Sequence, residues 1–439
     1  MRAARLPAIT ALLLLCVAPT AQAVTPPPVD DKWLPQPAFP APPQPTVQLE
    51  ICAVPPADDG PDRSPRDAAA PTPQFADLNL PAVWQLTRGA GQRVAVIDTG
   101  VARHRRLPKV VAGGDYVFTG DGTQDCDAHG TLVAGIIAAT TDFKSDGSSG
   151  VAPDATLISI RQSSAKFGAV ANRSSRGFGD VDTMARAVRT AADLGASVIN
   201  ISSVACVAAA SALDDRALGA ALAYAVDVKN AVVVAAAGNT GGAAQCPTQR
   251  PDATWETVTV AVSPAWYDDY VLTVGSVNAD GAPSAFSLAG PWVDVAAIGE
   301  QVTPLGSAPL SGTSYAAPVV SGLAALIRAR FPALTARQVM RRIESTAHHP
   351  PGGWDPLVGN GTIDALAAVS SDPVPPPTTA RAQPVPVVVP PPPRPPDRRA
   401  RDTALHGTVI CLIVLTAALA AGAASRRLRR SRSQDVAGH

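Results

Sequence analysis

Four short stretches carry side chains whose types and settings could do chemistry. In GTSYAAPVVSGLAALI (residues 312–327) a glycine and two hydroxyls run directly into an amphipathic helical pattern, so Ser314 sits where a turn becomes a helix. Unpaired backbone N–H groups at a helix start carry partial positive charge and suit a developing oxyanion, which makes Ser314 a candidate nucleophile. A hydroxyl at that position also simply caps many buried helices, so the serine needs a base and an orienting acid elsewhere to be more than a cap. RVAVI (93–97) is a continuous apolar run of the buried parallel-strand kind and ends in Asp98-Thr99-Gly100. An acid at the carboxyl end of a central strand is well placed for chemistry, although Asp at a strand end is often only a turn residue. CDAHGT (126–131) leads into a run of small and aliphatic residues, which puts His129 at another helix start, and AVVVAAA (231–237) reads as a strand delivering Gly238-Asn239.

The elements that must position these groups alternate between strand and helix. Apolar runs at 151–160, 198–202, 270–274 and 292–296 read as further strands, and 75–86, 181–194, 213–228 and 335–345 as helices. Asp180 is a cap for the 181–194 helix and Gly195 its stop. Residues 161–179, rich in Ser, Gly and Arg, read as an exposed, mobile loop. Alternation of this kind predicts an α/β domain in three layers, with helices on both faces of a mostly parallel sheet. Asp98, His129 and Ser314 then lie in one of the known chain orders of a hydrolytic triad.

Length and composition bound the rest. The 439 residues suffice for one large domain with appendages, and 36 basic against 36 acidic residues argue against bulk electrostatic binding of nucleic acid. Arg2 and Arg5, the apolar run 9–17 and Ala21-Gln22-Ala23 form an export signal over residues 1–23. Residues 24–76 are proline-rich and cannot build a core; their Trp33, Leu34, Phe39 and Ile51 are expected to lie along the surface of the catalytic domain, residues 77–370. Residues 371–402 form a proline-rich, extended tether, 403–424 an apolar stretch long enough to span a bilayer, and 425–439 a basic tail on the cytoplasmic side. Cys16 falls in the export signal and Cys411 in the span, leaving Cys52, Cys126, Cys206 and Cys246 in an oxidising setting. Three pairings are open; the favoured one joins Cys52 to Cys126, clamping the N-terminal extension, and Cys206 to Cys246, closing a loop in the core.

Taken together, DTG at Asp98, HGTLVAG at His129, AAGN at Asn239 and GTSYAAP at Ser314 resemble the motif blocks of the subtilisin-like serine proteases over roughly residues 77–368. The resemblance implies that Ser314 attacks the scissile carbonyl, that His129 relays its proton and that Asp98 orients the imidazole. It implies an oxyanion hole made by the Asn239 amide and the Ser314 backbone N–H. Substrate is expected as an extended strand between Ser202, Ser203 and Val204 on one side and Ala235, Ala236 and Gly238 on the other, with a shallow pocket suited to a modest side chain. Ser202-Ser203-Val204 departs from the commoner SLGG-like edge, and Tyr315 replaces the usual methionine. Relatives often bind calcium; Asp142 and Asp146 are the candidates here, but they make no convincing ligand set, and no cofactor is expected.

The order of parts and the phrase SIRQSSAKF (159–167) further resemble the mycosins, membrane-anchored proteases of type VII secretion systems. That resemblance implies a protein or peptide substrate, a membrane and the secretion complex as partners, with the catalytic domain outside the cytoplasmic membrane. It also leaves an alternative, a structural assembly factor in which proteolysis is secondary.

Overall fold

The computed structural model describes residues 24–53, 75–141, 148–172, 177–209, 211, 213–242 and 245–370. The export signal, the tether, the span, the basic tail, Asp142 and Asp146 lie outside the described residues. Among those described, the strands in chain order are β1 (Thr46–Gln48), β2 (Arg93–Asp98), β3 (Val110–Asp115), β4 (Thr156–Arg161), β5 (Phe167–Ala169) and β6 (Val198–Ile201), then β7 (Ala205–Ala208), β8 (Val232–Ala236), β9 (Val260–Ser263), β10 (Leu272–Val277) and β11 (Val295–Ile298). The α-helices are α1 (Leu80–Leu86), α2 (His129–Ala138), α3 (Val181–Asp193), α4 (Arg216–Ala223), α5 (Thr313–Arg330), α6 (Ala336–Thr346) and α7 (Ala365–Ser370).

Seven strands form the central sheet in the order β11-β10-β8-β6-β2-β4-β3, with every neighbouring pair parallel. β2, β6 and β8 are buried at nearly every residue. Because successive strand side chains point to opposite faces, that pattern demands cover on both sides. Two helix pairs supply it: α2 packs on α5, α3 packs on α4, and both pairs contact the central strands. The expected three-layer α/β arrangement is the one observed.

Register sets the position of the site. Ile97 of β2 pairs with Ile201 of β6, which pairs with Ala235 of β8. Asp98, Ser202 and Gly238 therefore leave the sheet along one edge, at the carboxyl ends of three adjacent strands, where open parallel sheets place their ligands.

Several local expectations are corrected. The 75–86 helix is two pieces, a 3-10 turn at Ala76–Leu78 and α1, broken at Asn79, which takes a left-handed φ of 46°. Strand β4 begins only at Thr156, since Val151–Ala155 is used in turns, including a hydrogen bond from Trp84 Nε1 to Val151 O (2.9 Å). The 213–228 helix becomes α4 followed by a π turn over Tyr224–Val228. Asp180 does cap α3, in a capping box with Thr183, and Gly195 does end it with φ 75°.

The largest correction concerns residues 161–179. Arg161, Gln162 and Ser164 are buried, and β5 pairs antiparallel with β1 of the extension. Gln162 Nε2 donates to Asp180 O (3.0 Å) and Thr183 Oγ1 (2.9 Å), and the Arg161 guanidinium lies 4.4 Å from the Phe167 ring centroid with Nη1 donating to Asp115 Oδ2 (3.4 Å), while its Nε and Nη2 have no hydrogen-bond partner among the described residues. Polar composition misread a segment whose first residues are built into the protein interior.

The extension is a strap. The Arg216 guanidinium stacks 3.9 Å over the Trp33 ring, Arg189 Nη1 donates to Pro35 O (3.0 Å), and Lys166 Nζ pairs with Glu50 at 2.8 Å. Leu34 packs against the core, whereas Phe39 and Ile51 stand 98% and 90% exposed, contrary to the expectation for them. A disulfide joins Cys52 of the strap to Cys126, and a second disulfide joins Cys206 of β7 to Cys246.

Candidate active site

His129 is the first residue of α2, and its Nδ1 lies 2.7 Å from Asp98 Oδ1 at the end of β2. The same oxygen accepts the Thr99 N–H at 2.7 Å. A carboxylate acceptor fixes the imidazole proton on Nδ1 and leaves Nε2 as the basic nitrogen. Burial disfavours the imidazolium, but the Asp98 charge and hydrogen bond, with smaller help from Asp125 and Asp127, outweigh it and raise the His129 pKa above its ordinary value. The side chain keeps 29% exposure, against 2% for Asp98, so the ring is open to an incoming group while its acid is sealed.

Glycine is required beside this pair. A Cβ on Gly130 would meet Gly100 O at 2.1 Å and Asp98 Oδ1 at 3.1 Å, so no larger residue lets α2 begin this close to β2. Ala128, the residue before His129, takes a left-handed φ of 65°, a conformation that costs an L-residue about 1 kcal/mol. Asp125 offsets that strain. Its Oδ1 accepts from Thr99 Oγ1 (2.8 Å) and from the N–H groups of Ala128 (2.8 Å) and Asp127 (3.1 Å), and its Oδ2 accepts from Thr131 N and Oγ1 (2.8 and 2.7 Å). Burial pushes the Asp125 carboxyl up, and the hydrogen bonds from Thr131 and Thr99 pull it back.

Ser314 is the second residue of α5, behind Gly312 and a fully buried Thr313. Pro318 cannot donate to the Ser314 carbonyl four residues earlier, which loosens the first turn at the serine. A Cβ on Gly312 would stand 3.1 Å from Ser314 Oγ and 3.6 Å from Asn239 Nδ2, so the hydroxyl and the amide face one small hollow that only glycine leaves open. Thr313 aims the amide. Its N–H and Oγ1 both donate to Asn239 Oδ1 (2.9 and 3.1 Å), which turns Nδ2 toward the hollow, while its Oγ1 accepts the Gly238 N–H at 3.1 Å. Tyr315 packs on the imidazole with ring centroids 5.4 Å apart. Burial, and then the Asp98 charge, push the Tyr315 phenol up to about 12. Among the described residues Ser314 and His129 share no direct hydrogen bond.

The six expected substrate contacts divide. Ser203 and Val204 line a cavity of about 210 Å³ with Val181, Met184, Leu218 and Pro264, and the Ser203 hydroxyl is buried there without a partner. Ser202 is buried and accepts from Asn200 Nδ2 (2.9 Å), whose Oδ1 accepts from Ser321 of α5 (2.8 Å). Ala235 and Ala236 are sealed within the sheet at 0% and 2% exposure and do not line that cavity, and Gly238 lies over Cys246, whose Sγ would be 2.9 Å from an added Cβ. Three residues of the site go unflagged in the sequence: Asp125, Thr99 and Thr313. The spacing of Asp125 four residues before His129 and of Thr131 two after it was the available signal for the first.

Comparison with known proteins agrees with this geometry. The Subtilase family model matches residues 89–361. Mycosin-4 of Mycobacterium tuberculosis is 70% identical over 94% of both chains, and Mycosin-1 of the same organism is 44% identical over 95% of this chain and 98% of its own. Among solved structures, the MycP3 protease from the type VII (ESX-3) secretion system superposes with a TM-score of 0.71 at 45% identity, covering 80% of this chain and all of that one. A chain in the intact ESX-5 inner membrane complex does so with a TM-score of 0.71 at 40% identity, over 91% of this chain and all of that one. The chain belongs to the subtilase family, among its mycosins.

Proposed function

We propose that this serine endopeptidase cuts polypeptides with Ser314 as nucleophile, His129 as base and then acid, and Asp98 as the group that orients the imidazole. The Asp98–His129 contact of 2.7 Å carries the reading, because it holds the proton on Nδ1 and leaves Nε2 as the basic nitrogen. Ser314 Oγ adds to the scissile carbonyl as its proton passes to His129, and the oxyanion takes hydrogen bonds from Asn239 Nδ2 and the Ser314 N–H. Collapse expels the amine, which leaves with the proton from His129; water then repeats the sequence and frees the acid. The serine–histidine hydrogen bond forms as substrate seats, since such contacts are often long before binding. No cofactor enters these steps, as nucleophile, base and oxyanion donors are all protein groups.

The substrate strand runs along residues 202–204, with one side chain entering the cavity of Met184, Leu218 and Pro264. The relation to the mycosins and to a chain of the ESX-5 inner membrane complex supports work within a type VII secretion assembly at a membrane. In our reading the signal at 1–23 directs export and is cleaved, and the tether and the span at 403–424 hold the protease on the extracytoplasmic side. The paired acid and base favour proteolysis over a purely structural assembly role.

Treatment of the full chain with a serine-directed phosphonate tests the reading. Labelling is expected at Ser314, lost in Ser314→Ala and sharply slowed in Asp98→Asn. An unlabelled, folded wild-type chain would refute it. Secretion that proceeds normally with Ser314→Ala but fails without the chain would favour the assembly role.

A further inference from the structure

The cavity beside residues 202–204 combines two chemistries. Val181 and Met184 of α3, Leu218 of α4 and Pro264 give it an apolar bed, and at about 210 Å³ it is smaller than the roughly 300–1,000 Å³ of sites that enclose whole ligands, so it has room for one side chain. A carboxylate stands at its edge. Asp180 lines the same cavity and is exposed, whereas Met184 and Leu218 are buried. As the cap of α3 it uses a single carboxylate oxygen: Oδ1 accepts from Thr183 N (2.8 Å) and Oγ1 (2.9 Å). Its Oδ2 has no partner among the described residues.

The other polar groups of the lining do not oppose a cation. Gln162 spends its amide on Asp180 O (3.0 Å) and Thr183 Oγ1 (2.9 Å), Ser263 donates to Asp215, and the buried Ser203 hydroxyl retains its capacity to accept. No lysine, arginine or histidine lines the cavity among the described residues. The start of α3 carries about half a positive elementary charge, which alone would repel a cation. Asp180 and Asp182, the acid of its first turn, bring one full negative charge each, so the balance at this end is negative.

We propose that this cavity selects a basic residue of the polypeptide being cut, its aliphatic stem lying on Met184, Leu218 and Pro264 and its cationic head meeting Asp180 Oδ2, which makes Asp180 a specificity-determining residue. The proposal rests on the protease reading and adds a substrate class to it. Lysine and arginine lay their methylenes on apolar surface while keeping the charge at the wet edge, which is the layout of this cavity. A purely apolar side chain fills the same bed but leaves the carboxylate unanswered, and an acidic one meets like charge.

The test measures binding apart from cleavage. Fluorescein-labelled Ala-Ala-Ala-Lys-Ala-Ala-Ala is titrated against the full chain carrying Ser314→Ala, in neutral detergent, beside the same peptide with norleucine or glutamate in place of lysine. The lysine peptide is expected to bind about three- to tenfold tighter than the norleucine one, with the gap narrowing as salt rises and the glutamate peptide weakest. Adding Asp180→Asn, which keeps an equally good cap for α3, should bring lysine down to the level of norleucine. The readout is a ratio of two peptides on one protein, so a general loss of stability does not imitate that result. Norleucine binding as tightly as lysine, a lysine preference that survives Asp180→Asn, or no measurable binding of the lysine peptide overturns the assignment. A chain that binds lysine in this Asp180-dependent way yet, as wild type, hydrolyses no lysine peptide would leave the assignment standing and refute the protease reading.

Discussion

The two halves of the active site are each closed by a disulfide yet supported in different ways. Cys126 lies three residues before His129 and bonds to the strap; Cys246 donates its N–H to Asn239 O (2.9 Å) and bonds to β7. The bridges span 74 and 40 residues, and chain-entropy arguments give both about 4 kcal/mol, so energy does not separate them. Local hydrogen bonding does. The acid–base half rests on Asp125, which five donors surround, whereas the oxyanion half rests on Thr313 and on the space left by Gly312. One half is built by filling and the other by emptying.

Ser314→Ala removes what both halves serve and should lower kcat by about 10⁶-fold, read on a peptide substrate after titrating active sites. Gly312→Ala asks whether emptiness matters: its φ of 162° suits any residue, so the protein should melt unchanged while kcat falls by about 10²–10³-fold, as in Asn239→Ala. An active Gly312→Ala enzyme would break the comparison. Asp125→Asn tests filling. It places an amide among donors, so a lower melting temperature should accompany a loss between about 10- and 100-fold as His129 shifts, and Gly312→Ala should show no such melting change.

The smallest effect is a displacement in pH. Catalysis needs neutral His129, so its raised pKa should put the acid limb of kcat/KM above the ordinary imidazole value of about 6.5, and Asp98→Asn should move the limb down. Stability runs the other way: the charged ring's partners contribute fully below the unfolded-state value, and that share is lost as pH rises through the folded one.

Local signals made most of the frame legible. The apolar runs at β2, β6 and β8 and the Asp180 cap depend on neighbours along the chain, and the motif blocks drew attention to Asp98, His129, Asn239 and Ser314 because glycine and turn residues surround each. What stayed hidden depends on distant partners. β1 and β5 form a ladder across about 120 residues of sequence, which no local pattern of Thr46–Gln48 announces. Asp125 reads as a loop acid until Thr99, 26 residues earlier, meets it. Ala235 and Ala236 suggested a pocket wall by their smallness, but that smallness serves close packing inside a seven-stranded sheet.

The bond between Cys52 and Cys126 has a consequence for when the enzyme can work. Thiols stay reduced in the cytosol, so a newly made chain there lacks the covalent tie that seats its proton-relay loop. Under the export proposed above, the tie closes only in an oxidising compartment, so the redox difference across a membrane would set when the loop carrying His129 is covalently seated.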